Sequence, residues 1–117
     1  MPLVIENQSG FLKNGKNYLV EVSDNTITLV NKITKEKSIV EWEELTSIYI
    51  IAIDNYPIGS MSFVLHRGSK MTEIPTDAEG GTELLKSMQE KLAGFDNKAV
   101  VEAMGILHGF KEIWKKT

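Results

Sequence analysis

The hydrophobic period of this chain changes once, just after Pro75, and this change limits the folds available to it. Before that point apolar and polar residues alternate, as at Tyr18, Val20 and Val22, which is typical of half-buried β-strands. From Thr82 onward apolar residues recur at helical spacing, at Leu84, Leu85, Met88 and Leu92. Strands followed by an amphipathic helix predict an α+β domain, with Thr82 as the residue that caps the helix.

The β-rich part divides into about six or seven short strands separated by turn residues. Turn chemistry is supplied by Ser23–Asn25, by Asn55–Gly59 and by Arg67–Lys70. The segment Ile48–Ile53 is apolar on both faces, which predicts either a central strand covered on both sides or an edge for self-association. Together these elements favour a curved antiparallel sheet or half-barrel, whose open apolar end is plugged by the helix that follows.

The C-terminal part of the sequence predicts a short helix, followed by a segment whose pattern fits two kinds of element. Gly94 is expected in the left-handed conformation that ends the first helix, and Asp96 or Asn97 is expected to cap a second helix that stops at Gly105. The segment Ile106–Trp114 fits either an alternating or a helical pattern. Because a glycine costs about 1 kcal/mol inside a helix, we expect a short closing strand or an irregular tail.

The charge balance restricts the classes of partner. The 117 residues include 13 basic and 16 acidic side chains, for a net charge of −3, and the sequence pI is about 5.4. Arg67 is the only arginine, so the guanidinium forks that bind phosphates and base edges are nearly absent. Nucleic-acid binding is therefore not expected. With no cysteine in the chain, a disulfide scaffold, a zinc–cysteine site and a catalytic thiol are excluded.

The cellular location is predicted from the lack of a recognisable signal peptide or membrane-spanning segment in the sequence. The first ten residues have one three-residue apolar patch and no basic start, unlike a signal peptide. The longest apolar run, Ile48–Ile53, is far shorter than the roughly 20 residues that span a bilayer. We expect a cytoplasmic protein without integral membrane contact, with a secreted protein that has lost its leader as the alternative.

A set of motifs between Tyr18 and Leu92 resembles a known family. After the Asp-Asn turn and a hairpin come Ile39-Val40-Glu41-Trp42-Glu43-Glu44-Leu45, then a turn at Gly68, then Glu73-Ile74-Pro75 and the helix. This order resembles the bacterial pleckstrin-homology-like (PH-like) proteins, in which a "valine-x-tryptophan-x-x-isoleucine" segment and an "isoleucine-proline" strand end precede a capping helix. The resemblance implies a PH-like fold.

The domain organisation follows from the same resemblance. We expect one domain over residues 1–117, with a PH-like core at about 18–92 and a C-terminal extension at 93–117 that the family pattern does not include. Residues 1–17 carry no assigned role. The stretch from Leu92 to Met104 also resembles small uncharacterised bacterial proteins, a likeness that implies no activity.

Residues able to carry catalysis are few. His66 and His108 are the two histidines, they lie 42 positions apart, and no serine stands in a Gly-x-Ser-x-Gly elbow. The spacing of the histidines matches no metal motif. Asp77 and Glu79 suit acid–base work by a carboxylate pair, but they directly precede a helix, where negative charge is stabilised by the helix dipole. We therefore expect no catalytic residue, no metal and no cofactor.

Two small groups of residues are candidates for binding. Tyr56 and Pro57 stand at a predicted turn tip, where an exposed aromatic suits a protein partner. Lys32, Lys35 and Lys37 lie on a predicted hairpin, and PH-like domains that bind phosphoinositides present basic residues on such hairpins. The same lysines also suit a solvated strand edge that resists aggregation.

These observations favour a non-enzymatic interaction module that binds a protein partner or itself through sheet edges and loops. Two alternatives stay open. One is a cytosolic immunity or inhibitor protein that neutralises a cognate toxin, which the small size and acidity of the chain suit. The other is a weak acidic-lipid binding domain that uses the three hairpin lysines.

Overall fold

A computed structural model of the chain describes residues 4–5, 15–53, 60–105 and 109–116. Within these residues the fold is α+β, as predicted, with two sheets, two α-helices and two short 3₁₀ helices at Gly15–Asn17 and Trp42–Glu44. The α-helices are α1 (Gly81–Lys91) and α2 (Asn97–Met104). The strands are β1 (Val4–Ile5), β2 (Tyr18–Val22), β3 (Thr26–Asn31), β4 (Lys37–Glu41), β5 (Ser47–Ile53), β6 (Ser60–Arg67), β7 (Lys70–Pro75) and β8 (Gly109–Lys115).

The strands form two sheets. The smaller sheet has the order β2-β3-β4 and is antiparallel throughout. The larger has the order β1-β7-β6-β5-β8, in which β1 runs parallel to β7 and the other four strands are antiparallel. The strands of the described residues therefore do not close a barrel, and they number eight rather than six or seven, since β1 comes from a segment with no assigned pattern.

Strand β5 lies at the centre of the larger sheet, between β6 and β8. This confirms that β5 is a central strand and rules out the alternative that it is a self-association edge, but the expected cover on both faces is incomplete. Ile48 and Ile50 on the inner face are at most 1% exposed, whereas Tyr49 and Ile51 on the other face are half-buried. The inner face thus belongs to the core, and the outer face of β5 is partly accessible.

One core joins the two sheets and both helices. It includes Ile27 and Leu29 of the smaller sheet, Phe63 and Leu65 of the larger sheet, and Leu84, Met88, Ala99 and Val100 of the helices. Each of these side chains is at most 6% exposed. The alternation and the helical spacing in the sequence therefore assign most of these core positions correctly.

Both tryptophans are buried with their indole nitrogens hydrogen-bonded. Trp42 Nε1 donates to the Ser23 carbonyl at 3.1 Å, and Trp114 Nε1 donates to the Ala93 carbonyl at 2.9 Å. Trp42 points inward and begins the 3₁₀ helix Trp42–Glu44. Because each indole reaches a backbone carbonyl of a connecting segment, each tryptophan anchors a turn to the core.

The predicted N-cap residue is confirmed for α2 but not for α1. The Asp96 side chain accepts a hydrogen bond from the Ala99 amide at 2.9 Å and caps α2, as predicted. The prediction of Thr82 as the cap of α1 was wrong, because Gly80 occupies the N-cap position and Thr82 lies inside the helix. Gly94 after α1 is left-handed at φ +80°, as expected.

The C-terminal segment forms a strand rather than a helix. Strand β8 pairs antiparallel with β5, and its register shifts between Ile48 and Tyr49. This bulge lets two consecutive residues, Ile113 and Trp114, both be buried, at 1% and 8% exposure. Residues 93–117 therefore supply a paired strand and core side chains.

The buried position of Ile113 makes the stability of the fold sensitive to β8. Ile113→Ala is expected to lower the free energy of unfolding by about 2–5 kcal/mol, because it removes buried methyl groups and leaves a cavity. As a control, Val101→Ala, at a residue 73% exposed, is expected to change it by less than about 0.5 kcal/mol. Urea denaturation followed by tryptophan fluorescence measures both, and equal values would show that β8 adds nothing to the core.

The backbone around Glu79 joins the smaller sheet to the start of α1. The Val20 amide donates to the Glu79 carbonyl at 2.7 Å, and the Glu79 amide donates to the Tyr18 carbonyl at 3.2 Å. Gly80, the next residue, has φ +87°, and a Cβ placed on it would lie 2.2 Å from the Val20 carbonyl oxygen. Glycine is required here both for the left-handed backbone and for the close approach to β2.

A comparison of Gly80 with Gly94 separates the cost of the left-handed backbone from the cost of the close approach. Both have positive φ, but a Cβ at Gly94 would meet nothing within 4 Å. Gly94→Ala is expected to cost about 1–2 kcal/mol for the left-handed backbone alone. Gly80→Ala is expected to cost a further ~1–3 kcal/mol for the clash. Thermal unfolding of both variants checks the order, and an equal loss would contradict the clash.

Candidate functional site

The most accessible aromatic surface of the described residues lies on the outer face of the larger sheet. Phe110 of β8 is 70% exposed, yet its ring lies 5.8 Å from the Tyr49 ring in an edge-to-face arrangement. The His66 ring packs on the other side of Tyr49 with a centroid distance of 5.2 Å. We call Tyr49, His66 and Phe110 the outer aromatic patch.

Strand register explains why these three rings meet. Tyr49 and Ile51 lie on the outward face of β5, and Tyr49 pairs with Val64 on β6 and with Glu112 on β8. His66 and Phe110 are therefore diagonal neighbours of Tyr49, within the reach of aromatic side chains across a sheet. Since each ring contacts Tyr49, the patch is held in place before any partner binds.

The surroundings favour the uncharged forms of both titratable rings in the patch. Burial lowers the pKa of His66 below its ordinary value near 6.5, which favours the neutral imidazole. A hydrogen bond with Glu112, supported by burial and by the charge of that carboxylate, raises the pKa of the Tyr49 hydroxyl. The rings therefore present apolar and neutral polar surface, with the Glu112 carboxylate beside them.

In contrast to the outer aromatic patch, two polar side chains on the outer face of β6 and β7 are buried. Ser62 and Glu73 are each 1% exposed, and Ser62 Oγ donates to Glu73 Oε2 at 2.7 Å. Sequence reasoning missed this pair, because a serine and a glutamate 11 positions apart form no local motif. Because side chains of a strand alternate between its two faces, Glu73 lies on the face of β7 opposite to Thr72 and Ile74.

The carboxylates that precede α1 have structural contacts. The Glu79 side chain forms an ion pair with Lys32 at 2.7 Å, and its backbone bridges to β2. Asp77 is exposed and lies against Gly15. Within the described part of the chain, no group of three or more histidine, aspartate and glutamate side chains is placed to hold a metal ion.

The hairpin lysines are placed differently from one another. Lys32 is turned toward Glu79, Lys35 is left-handed at φ +68° in the turn, and Lys37 is exposed at the start of β4. Ile33, in the same turn, is 70% exposed. Only Lys35 and Lys37 of the three are therefore directed to solvent without a described ion pair.

Several predicted residues lie outside the part of the chain that the structure describes. These are Tyr56 and Pro57, the expected partner contacts, and His108, the second histidine. In the described ranges, neither helix is long and apolar enough to cross a bilayer.

Comparisons with known proteins add no relative. No protein-family model matches the chain, and no curated protein or solved structure matches it either.

The burial of His66 predicts a measurable titration. The pKa of His66 in the folded chain is expected below 6.5. Between pH 7 and that folded pKa, the unfolded chain therefore binds more protons than the folded chain. The free energy of unfolding is expected to decrease as the pH is lowered through this range. Proton NMR of the imidazole measures the pKa, with His108→Gln used to assign the signals. A pKa at or above 6.5 would show that a negative charge outweighs burial.

Proposed function

We propose that this protein is a non-enzymatic interaction module that binds a protein partner through the outer aromatic patch. The single observation that supports this role is the 70% exposure of Phe110 on a strand whose neighbouring ring, Tyr49, holds it in place. A large apolar ring that is exposed yet ordered contributes binding energy at little cost in side-chain entropy. Aromatic residues of this kind are enriched among the residues that dominate interfaces.

The chemistry around His66 supports a binding role over a catalytic one. A histidine that acts as a general base is usually oriented by a carboxylate, which raises its pKa. The pKa of His66 is lowered by burial alone, and the contact that defines its position is the Tyr49 ring. We therefore propose that His66 packs the patch and transfers no proton.

We also propose that the fold is PH-like. The three-stranded sheet, the strands β5–β7 and the helix α1 follow one another in the order that the family resemblance implies. Leu84 and Met88 of α1 are both fully buried, as a helix that caps a sheet requires. Strand β8, which follows the helix and carries Phe110, is an addition to that pattern.

Two alternative functions stay open, an immunity or inhibitor protein and a weak acidic-lipid binding domain. An immunity or inhibitor protein would use an exposed aromatic against a toxin, so the identity of the captured partner decides between this role and a general adaptor. Weak binding to acidic lipid would instead use Lys32, Lys35 and Lys37. The exposed Ile33 side chain beside these lysines is the one observation that favours lipid binding. The Lys32–Glu79 ion pair argues against it.

The proposal is tested by a pair of substitutions at equally exposed apolar residues. Phe110→Ser and Ile33→Ser each remove a side chain that is 70% exposed, one from the patch and one from the lysine hairpin. In capture from native lysate with the wild-type chain, we expect a stoichiometric protein that Ile33→Ser retains and Phe110→Ser loses. Titration calorimetry with that purified protein is expected to show an affinity at least about thirtyfold lower for Phe110→Ser.

Each other outcome has a defined meaning. A partner retained by Phe110→Ser contradicts the role of the patch. Loss with Ile33→Ser, together with binding of the wild-type chain to vesicles containing phosphatidylserine, favours the lipid alternative.

A further inference from the structure

Strand β4 is an edge of the three-stranded sheet. The hydrogen bonds between β3 and β4 identify which backbone groups of β4 point away from β3. The Asn31 amide donates to the Glu36 carbonyl at 2.9 Å, and the Trp42 amide donates to the Asn25 carbonyl at 3.0 Å. Hydrogen-bonded residues alternate along an antiparallel pair, so the even-numbered residues of β4 bond to β3. The amides and carbonyls of Lys37, Ile39 and Glu41 therefore point away from β3.

One contact supports this assignment independently. The Glu41 amide donates to Glu44 Oε1 at 3.4 Å rather than to a carbonyl of β3. None of the described strands pairs with this side of β4. At 3.4 Å the Glu44 bond is long, and a carbonyl from another strand would replace it with a shorter bond.

The side chains of the same three residues form an ordered row. Lys37, Ile39 and Glu41 are all exposed, and Ile39 is 57% exposed despite its apolar side chain. Along β4 the three side chains are therefore positive, apolar and negative in that order. Two copies of this strand that run antiparallel can place each positive side chain opposite a negative one.

We propose that β4 pairs antiparallel with β4 of a second copy of this chain, about a two-fold axis at Ile39. In this register Ile39 lies opposite Ile39 of the second copy, and Lys37 lies opposite Glu41 of the second copy, with the reverse pair generated by symmetry. Opposite charges and apolar pairs at directly facing positions stabilise a sheet, whereas like charges destabilise it. The two three-stranded sheets become one continuous sheet across the dimer.

Neighbouring registers lack this complementarity. A two-fold axis at Lys37 places lysine opposite lysine, and an axis at Glu41 places glutamate opposite glutamate. An axis at Ser38 or Val40 places Ile39 opposite a charged side chain. Charge and apolarity therefore select a single register, which is the condition for a specific dimer rather than for open-ended aggregation.

This inference rests on the proposed interaction role and names a second copy as one partner, but it uses a different sheet from the outer aromatic patch. Phe110 lies on β8 and Ile39 lies on β4. An experiment can therefore contradict the role of one surface without affecting the other. The capture experiment tests the patch, and the mass of the purified chain tests β4.

The test uses charge exchange on the full chain, with mass measured by sedimentation equilibrium. The wild-type chain is expected to approach twice its monomer mass of 13.1 kDa as concentration rises. Lys37→Glu and Glu41→Lys each turn two attractive pairs into repulsive ones and are expected to raise the dimer dissociation constant at least about tenfold. An equimolar mixture of these two variants is expected to recover the dimer, since every facing pair is again of opposite charge.

Two controls keep the charge experiment specific. The double variant Lys37→Glu/Glu41→Lys is expected to dimerise like the wild type, and Lys98→Glu, an equal charge change at an exposed residue of α2, is expected to leave the dimer unchanged. Circular dichroism of each variant confirms that it is folded. A monomeric wild-type chain overturns the proposal, and so does a dimer that Lys37→Glu leaves intact.

A cross-link tests the register directly. The chain has no cysteine, and facing hydrogen-bonded residues have Cα atoms about 5.5 Å apart, within the ~4.4–6.8 Å that a disulfide spans. Under mild oxidation Ile39→Cys is expected to form a covalent dimer at least about tenfold faster than Val101→Cys, whose residue is 73% exposed on α2. Equal rates would overturn the Ile39 axis.

Discussion

The pairing of β5 with β6 on one side and β8 on the other is the interaction on which the rest of the fold depends. Through it a strand from the C-terminal end of the chain becomes part of the main sheet. The inner face of β5 fills the core with Ile48 and Ile50, and its outer face positions Tyr49. Because the side chains of a strand alternate between faces, one strand supplies both the core and the surface.

The segment between β7 and α1 is joined to the smaller sheet by backbone hydrogen bonds. The bonds between the Glu79 backbone and β2 hold the start of α1 against the smaller sheet, and only glycine at position 80 allows so close an approach. Leu84 and Met88 then enter the core from the same helix. The position of α1 thus depends on a turn residue and a hydrogen-bonded bridge in addition to its apolar face.

The two proposed interaction surfaces share a physical basis. Each is a place where strand order leaves an apolar side chain exposed beside charged or polar neighbours: Phe110 beside Tyr49 and Glu112, and Ile39 between Lys37 and Glu41. On β8 the exposed group is an aromatic ring held by another ring, which suits a partner of different shape. On β4 it is a strand edge whose charge order is complementary to itself, which suits a second copy.

Local sequence predicted most of the elements, but it predicted neither β1 nor the order of the strands in the sheets. The alternation of β2 and β3, the helical spacing of α1 and the Asp96 cap depend on residues within a few positions of one another, so period and capping chemistry predict them. Which strands pair depends instead on contacts between distant segments. The Ser62–Glu73 bond, the exposure of Phe110 and the outward edge of β4 therefore followed only from the tertiary structure, since strand order and register decide which face of each strand is buried.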